Sequence, residues 1–142
     1  MARIINNFGK IQGWNSITVN LLGRDIEGIT AISYSDSEEL ENVYGAGKYP
    51  VGRGGGNYQA EASITLLKEE WDALQAAVPA GQRVQDIAPF DIIVEYTRDN
   101  GAIQVDRIRN AQFTGRGVEN NQNDKMLEYE AELIISHIEW NV

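Results

Sequence analysis

Residues 14–22, Trp-Asn-Ser-Ile-Thr-Val-Asn-Leu-Leu, alternate Ile17, Val19 and Leu21 with Ser16, Thr18 and Asn20, the two-residue period of a strand with one buried face. Gly23-Arg24-Asp25 supplies a turn. The run 26–35, rich in Ile, Thr, Ser and Tyr, then reads as the returning strand of a hairpin. The pattern breaks at residue 36. Residues 36–56 open with Asp36, Glu38, Glu39 and Glu41, and six of the chain's 14 glycines follow between Gly45 and Gly56, with Pro50 among them, so a long loop is expected. Loops of that length in compact domains are functional or disordered.

Alternation resumes at Asn57. Tyr58, Ala60, Ala62, Ile64 and Leu66 share one parity and Gln59, Glu61, Ser63 and Thr65 the other, which predicts a strand with one apolar face. A helix is predicted over about 66–78. Thr65 stands where it can cap the first turn, Glu69 and Glu70 sit where the helix dipole favours anions, and Leu67, Trp71, Leu74 and Val78 form an apolar stripe suited to core packing. Pro79-Ala80-Gly81 ends it. Phe90, Ile92, Val94 and Tyr96 predict another strand, Asp99-Asn100-Gly101 a tight hairpin turn, and 102–114 the return. The register of that return stays open, because a two-residue and a three-residue loop invert which side chains share a face. After the polar stretch 115–125, residues 126–140 predict a last long strand. Leu127, Tyr129, Ala131, Leu133 and Ile135 take one face, and the other begins Glu128, Glu130, Glu132 and turns apolar at Ile134, Ile138 and Trp140. Six predicted strands and one helix imply a mainly β chain, an antiparallel β-sandwich or barrel with one flanking α-helix.

Composition narrows what such a fold can do. A chain of 142 residues that is 42% apolar suits one domain spanning 1–142. Twenty-one acids against twelve Lys and Arg give a formal net charge of -9, which repels phosphate backbones and anionic lipid headgroups and argues against a basic DNA-reading surface. The lack of cysteine excludes a disulfide framework, a thiol nucleophile, an iron–sulfur centre and a thiolate zinc site. No apolar run approaches the roughly 20 residues of a membrane span, and the start Met-Ala-Arg-Ile-Ile lacks a secretory layout, so a soluble protein is expected.

The candidate chemical motifs have plain readings. His137, the chain's one imidazole, lies in Ile134-Ile135-Ser136-His137-Ile138 and reads as a strand histidine, since a catalytic role needs a nucleophile and an orienting carboxylate nearby in space, which one sequence does not show. The glycine loop fails both phosphate-binding patterns. Gly47-Lys48 has Asn42 and Tyr49 where a P-loop needs a glycine and a hydroxyl, and a dinucleotide fingerprint from Gly45 or Gly52 meets Pro50 or Asn57 in place of its last glycine. The acids at 36–41 lack the frame of a calcium loop. No catalytic residue, metal site or cofactor is expected. Glu128, Glu130 and Glu132 stand apart, since alternation puts them on one side of one strand about 7 Å apart in succession. They are either a solvent-facing polar face or a functional acidic surface.

Three segments carry a resemblance. Gly28-Ile29-Thr30-Ala31-Ile32-Ser33-Tyr34-Ser35, then Glu41-Asn42-Val43-Tyr44-Gly45-Ala46-Gly47-Lys48-Tyr49-Pro50-Val51-Gly52-Arg53-Gly54, then Tyr58-Gln59-Ala60-Glu61-Ala62-Ser63-Ile64-Thr65-Leu66, taken in this order before a helix with Trp71 and Leu74, resemble tail tube proteins of bacteriophages and related contractile injection systems. The resemblance spans about residues 14–78. It implies a β-sandwich or barrel with a flanking helix, hexameric rings, and stacking of those rings into a hollow tube through which DNA or an effector passes. It also implies that the loop 36–56 reaches a neighbouring subunit or ring through Glu41, Tyr44, Gly45, Gly47, Lys48, Tyr49, Pro50 and Arg53, and that one sheet face lines the lumen, where Glu128, Glu130 and Glu132 would stand. Tail sheath, baseplate and tape-measure proteins are the partners it implies, and the virion tail, assembled in the host bacterial cytoplasm, the location. Anionic lumen walls keep phosphates from sticking, which the net charge of -9 fits. Arg107, Arg109 and Arg116 depart from that picture, as cations that either pair subunits or face the channel. Two rival readings remain. A small-molecule-binding β-barrel would use the loop as a lid, and a hydrolytic or glycan-active enzyme would use Glu128 and Glu130, although acids adjacent on one strand do not by themselves bracket a bond.

Overall fold

A computed structural model of the chain describes residues 13–14, 17–97 and 102–142. The predicted turn at Asp99-Asn100-Gly101 lies outside the described residues. The elements run β1 (Ile17–Leu21), β2 (Arg24–Asp25), β3 (Ile29–Tyr44), β4 (Pro50–Leu67), α1 (Lys68–Ala76), a 3-10 turn at Val84–Asp86, β5 (Phe90–Thr97), β6 (Ile103–Phe113), β7 (Glu128–Ile134) and β8 (His137–Glu139). Every strand pairing is antiparallel, in the order β2-β1-β5-β6-β7-β4-β3 with β8 also on β6. Among the described residues the sheet does not close, and β2 and β3 stand at its two ends.

One bent strand joins two layers. Strand β6 pairs with β5 from Ile103 to Ala111 and with β8 through Arg107, Ile108 and Arg109, then with β7 through Gln112 and Phe113. The bend falls at Asn110, which adopts a left-handed φ of 56°. Asparagine tolerates that conformation because its short amide finds local partners. Here the Asn110 N–H donates to Asp91 Oδ1 (3.1 Å) and its side-chain amide to Ser136 Oγ (3.0 Å). The last predicted strand is broken at the same level, between β7 and β8, by Ile135 and Ser136. That break moves Ile138 from the polar parity into the core, while Ile134 stays exposed.

Between the layers lie Val19, Leu21, Ile92, Val94 and Ile108 from one side and Ala62, Ile64, Leu66, Tyr129, Ala131 and Leu133 from the other. These are the apolar parities of the predicted strands. Helix α1 closes one end of the core with Trp71 and Leu74. Trp71 is fully buried, its ring centroid 5.4 Å from that of Phe113, and its indole N–H donates to the Tyr129 carbonyl at 3.1 Å. Among the described residues, no helix is long and apolar enough to cross a membrane.

The structure corrects four local expectations. The run 26–35 does not return along β1. Leu22 and Gly23, with φ of 56° and 78°, form a two-residue turn, and the stretch that pairs back with β1 is short: Arg24 and Asp25 pair, and the Ile26 N–H donates to the Val19 carbonyl at 2.8 Å. Positive φ at both turn positions matches the twist of a tight hairpin. The chain then crosses to the other layer, where the Gly28 carbonyl accepts the Leu67 N–H at 2.8 Å and β3 pairs with β4. Residues 36–56 are not a long loop either: β3 runs on to Tyr44 and β4 starts at Pro50, so only 45–49 turn. Backbone ladder bonds need no particular side chain, and the pairing carried by 29–36 and 60–67 extends through residues of poor strand propensity. Thr65 lies inside β4 opposite Glu130 and caps nothing; the helix N-cap is Leu67, without a side-chain cap. The helix is correspondingly shorter than predicted, Lys68–Ala76, with Glu69 and Glu70 in its first turn.

Gly28 makes that crossing possible. A Cβ there would stand 2.3 Å from Glu70 Cγ, the side chain that accepts the Gly28 N–H and pairs with Arg24. Gly28→Ala should therefore lower stability by about 1–3 kcal/mol, the usual cost of forcing an extra methyl into packed surroundings. The loss should shrink when Glu70→Ala is already present. Urea unfolding of the single and double variants measures both, and additive losses would contradict the assigned clash.

Candidate assembly surface

The outer face of β3, β4 and β7 is polar by alternation. Cross-strand register assembles it in rows: Ala31, Thr65 and Glu130; Ser33, Ser63 and Glu132; Ser35, Glu61 and Ile134; with Glu128 beside Leu67 at the end. Glu128, Glu130 and Glu132 are exposed while Tyr129, Ala131 and Leu133 between them are buried, as the alternation predicts. The structure adds Glu61 to these acids. Its parity in β4 marks it as outward-facing, but only the pairing of β4 with β7 reveals its neighbours. The rows contain four carboxylates, a floor of small Ala, Ser and Thr side chains, and no cation.

Beyond Glu61 and Ile134 the pairing of β4 with β7 stops, whereas β3 and β4 stay paired from Asp36↔Ala60 out to Tyr44↔Pro50. The result is a two-stranded arm. Its nine residues from Asp36 to Tyr44 carry the tip roughly 25 Å from the body at about 3.3 Å per residue. The expected contact residues all fall on it. Glu41 lies opposite Gly54 and Tyr44 opposite Pro50, while Arg53 Nε donates to Asn42 Oδ1 at 3.2 Å. Lys48 sits 5.7 Å from the centre of the Tyr49 ring, in the turn with Gly45 and Gly47. Tyr49 and Val51 are 74% and 73% exposed, and Leu40, Val43 and Tyr44 are exposed as well.

At the arm's root Asp36 Oδ2 accepts the Tyr58 hydroxyl (2.8 Å) and the Trp140 indole N–H (3.0 Å). Those two bonds, Trp140's first, hold the Asp36 carboxyl below its ordinary pKa. Desolvation and then the Asp36 bond raise that of Tyr58. Deeper in, Tyr34 donates to Asp106 Oδ2 at 2.7 Å and also bonds the Tyr96 hydroxyl. Burial, then the bonds to Tyr96 and Asp106, push the Tyr34 phenol far up, so it stays protonated. Asp106, 2% exposed, is the one buried charged residue among those described. Sequence reading missed this network, because a polar residue at 106 gives no sign of a partner 72 positions away.

The late arginines have partners within the chain. Arg107 lies 3.8 Å from Glu139, Arg109 pairs with Asp91 (3.2 Å) and Glu139 (3.8 Å), and Arg116 stacks 5.4 Å from the Trp71 ring centre while donating to Gln75. His137 is an exposed strand residue in β8, its Nδ1 2.9 Å from Ser136 Oγ and its Nε2 3.6 Å from Glu139. The described residues hold no group of three or more metal-ligating side chains.

No protein-family model matches the chain, and no curated protein matches it in sequence. Solved structures do. The tube-terminating cap of the anti-feeding prophage superposes with a TM-score of 0.66 at 14% identity, over 92% of this chain and 90% of that one. A chain of the sheath–tube complex of the PVC extracellular contractile injection system gives 0.64 at 15%, over 92% and 91%. A chain of the native gene transfer agent virion gives 0.55 at 13%, over 93% and 100%. The chain shares the fold of these three chains.

The lowered pKa of Asp36 fixes a pH dependence. A carboxylate held below its unfolded value contributes stability that is fully present above that value and is lost as pH falls through the folded one. The Trp140 indole N–H resonance should stay at its bonded position down through pH 3.8, the ordinary value for the group, and shift only below it. A shift centred at or above 3.8 would contradict the bonding described.

Proposed function

We propose that this chain is a structural subunit of a phage tail or related contractile injection machine, assembling as hexameric rings that stack into a hollow tube. The arm carries the reading. A two-stranded ribbon with no third strand is marginal in water by itself, and this one displays Leu40, Val43, Tyr44, Tyr49 and Val51 to solvent. Such a surface gains stability by docking on another subunit. The two open ends of the sheet, at β2 and β3, also favour a closed assembly, since a ring covers edges that a monomer leaves unpaired. Fold likeness to subunits of a sheath–tube complex and of a tube-terminating cap supports the same class of role.

In the ring the face of Glu61, Glu128, Glu130 and Glu132 lines the lumen. Carboxylates repel the phosphates of passing DNA, and a floor of Ala, Ser and Thr offers no cation or aromatic plane to which a nucleotide adheres. The tape-measure protein, or an effector, occupies the same channel before ejection. Sheath and baseplate contact the outside of the tube, and the assembled location is the tail of the particle. The role is structural and needs no catalysis.

Light scattering and negative-stain microscopy of the purified protein test the assembly; a strict monomer at high concentration, with no rings or rods on seeding, would overturn it. Gly54 gives a sharper test. It has no left-handed φ, and a Cβ there meets only Val43 Cγ2 at 3.9 Å, so the subunit itself has room for a side chain. Glycine in a strand that does not need it marks close approach from outside. Gly54→Val should leave the urea midpoint unchanged or raise it, yet stop rods from growing; normal rods would remove the arm from the interface.

The acids are tested by charge. Converting Glu128, Glu130 and Glu132 together to Gln should alter subunit stability by no more than about 0.5 kcal/mol per site, as exposed positions do. Converting them to Lys should give tubes that retain DNA and release it as salt rises. Lys-variant tubes that eject normally, or a tube map with these side chains on the outer wall, would refute the lumen assignment.

A further inference from the structure

Strand β8 and the residues after it cross the root of the arm. The Ile138 N–H donates to the Tyr58 hydroxyl at 3.2 Å, Tyr58 donates to Asp36 Oδ2 at 2.8 Å, and Trp140 Nε1–H donates to that same oxygen at 3.0 Å. The Trp140 ring packs 5.4 Å from the ring of Tyr34. Behind it, the Asn141 N–H donates to Asp106 Oδ1 at 3.0 Å, Tyr34 donates to Oδ2 of the same carboxylate at 2.7 Å, and the Val142 N–H donates to the Val105 carbonyl at 2.7 Å. Both strands of the arm, through Asp36 on β3 and Tyr58 on β4, are thereby tied to the segment 137–142, which together with Tyr34 just inward of the arm is bonded to β6.

Nothing else described restrains the arm from the side. The third strand leaves β4 at Glu61, and outward of that point β3 and β4 pair only with each other. A free ribbon roughly 25 Å long bends readily, and a swing of about 10° at its root moves the tip by roughly 4 Å, which destroys close packing at that end. Whatever fixes the root therefore fixes whether the tip meets its partner.

We propose that Trp140, held in place by the anchored segment 137–142, is a latch that sets the direction in which the arm leaves the body, with Asp36 as its catch. When the latch is closed the arm is presented at one angle. When the Trp140 and Tyr58 bonds to Asp36 open, the ribbon swings about residues 36–37 and 58–60 while the two layers remain folded, because Asp36, Tyr58 and Trp140 lie outside the apolar core, whereas Ile138 stays buried in it and β8 stays paired with β6. The device acts in the free subunit, before any docking. It goes beyond the tube reading, and its failure would leave that reading standing.

The absence of cysteine makes the test clean. Ala46→Cys in the arm's turn and Ala73→Cys on the exposed side of α1 take one spin label each, and pulsed electron paramagnetic resonance on the free subunit reads the distance between them. The parent should give one narrow distribution. Asp36→Ala and Trp140→Ala should each broaden it with the urea midpoint kept, and Trp140→Phe, which keeps ring stacking but loses the indole N–H, should fall between. If Trp140→Ala lowers the midpoint, the comparison rests on Asp36→Asn and Trp140→Phe, which preserve shape. A parent distribution that is already broad, or folded variants that all keep the parent's narrow one, would overturn the latch.

Discussion

The architecture turns on one pairing, that of β3 with β4, which continues past the point where the third strand ends. Inward of Glu61 the two strands share rows with β7, and their Ile and Leu side chains help seal the core. Outward of it the same ladder has solvent on both faces. The hydrogen bonds are similar in the two halves, but the burial that makes a sheet stable is present in only one. The chain thus carries a half-element with no buried face of its own, and the exposed aliphatic and aromatic residues near the tip lie on that half.

Charge is distributed to match. The formal charge of -9 is not spread evenly: from Asn42 to Asn57 the arm holds Lys48 and Arg53 and no carboxylate. The body's arginines at 107 and 109 are engaged by Asp91 and Glu139, so they add little free positive field. The exposed charge includes an acidic face on β4 and β7, the acids Glu38, Glu39 and Glu41 along β3 of the arm, and a mildly basic tip. In a repeating assembly, like-charged faces brought close repel over about a Debye length, roughly 8 Å at physiological salt. Holding such faces around a water-filled channel keeps them farther apart than packing them into a dry contact would.

Much of this was legible in the sequence where one face of an element is buried. The alternation at 58–66, 90–96 and 127–135 yields the observed strands and their core faces, and the spacing of Trp71 and Leu74 yields the helix, because burial on one side imprints its period directly. The arm was not legible. Its strands are buried on neither face, so no period marks them, and Glu, Gly and Pro in 36–56 carry the signature of a loop. Pairing partners are less legible than strands, because alternation marks a buried face and not the neighbour beside it. The run 26–35 prefers β4 over β1 because the two-residue turn at Leu22 and Gly23 has already ended the first hairpin. The Asp106 network was hidden for the same reason, since its members come from β3, β5, β6 and the segment after β8.

Fold likeness at 13–15% identity leaves open which surfaces a subunit uses. What this chain itself presents is a set of physical requirements on anything that takes up the arm: room for Tyr49 and Val51, and acids to meet Lys48 and Arg53. The electrostatic half of that condition is one that a surface like the acidic rows of β4 and β7 meets, whereas the apolar half needs a patch, and exposed side chains such as Ile103, Val118 and Met126 supply one only where they are brought side by side.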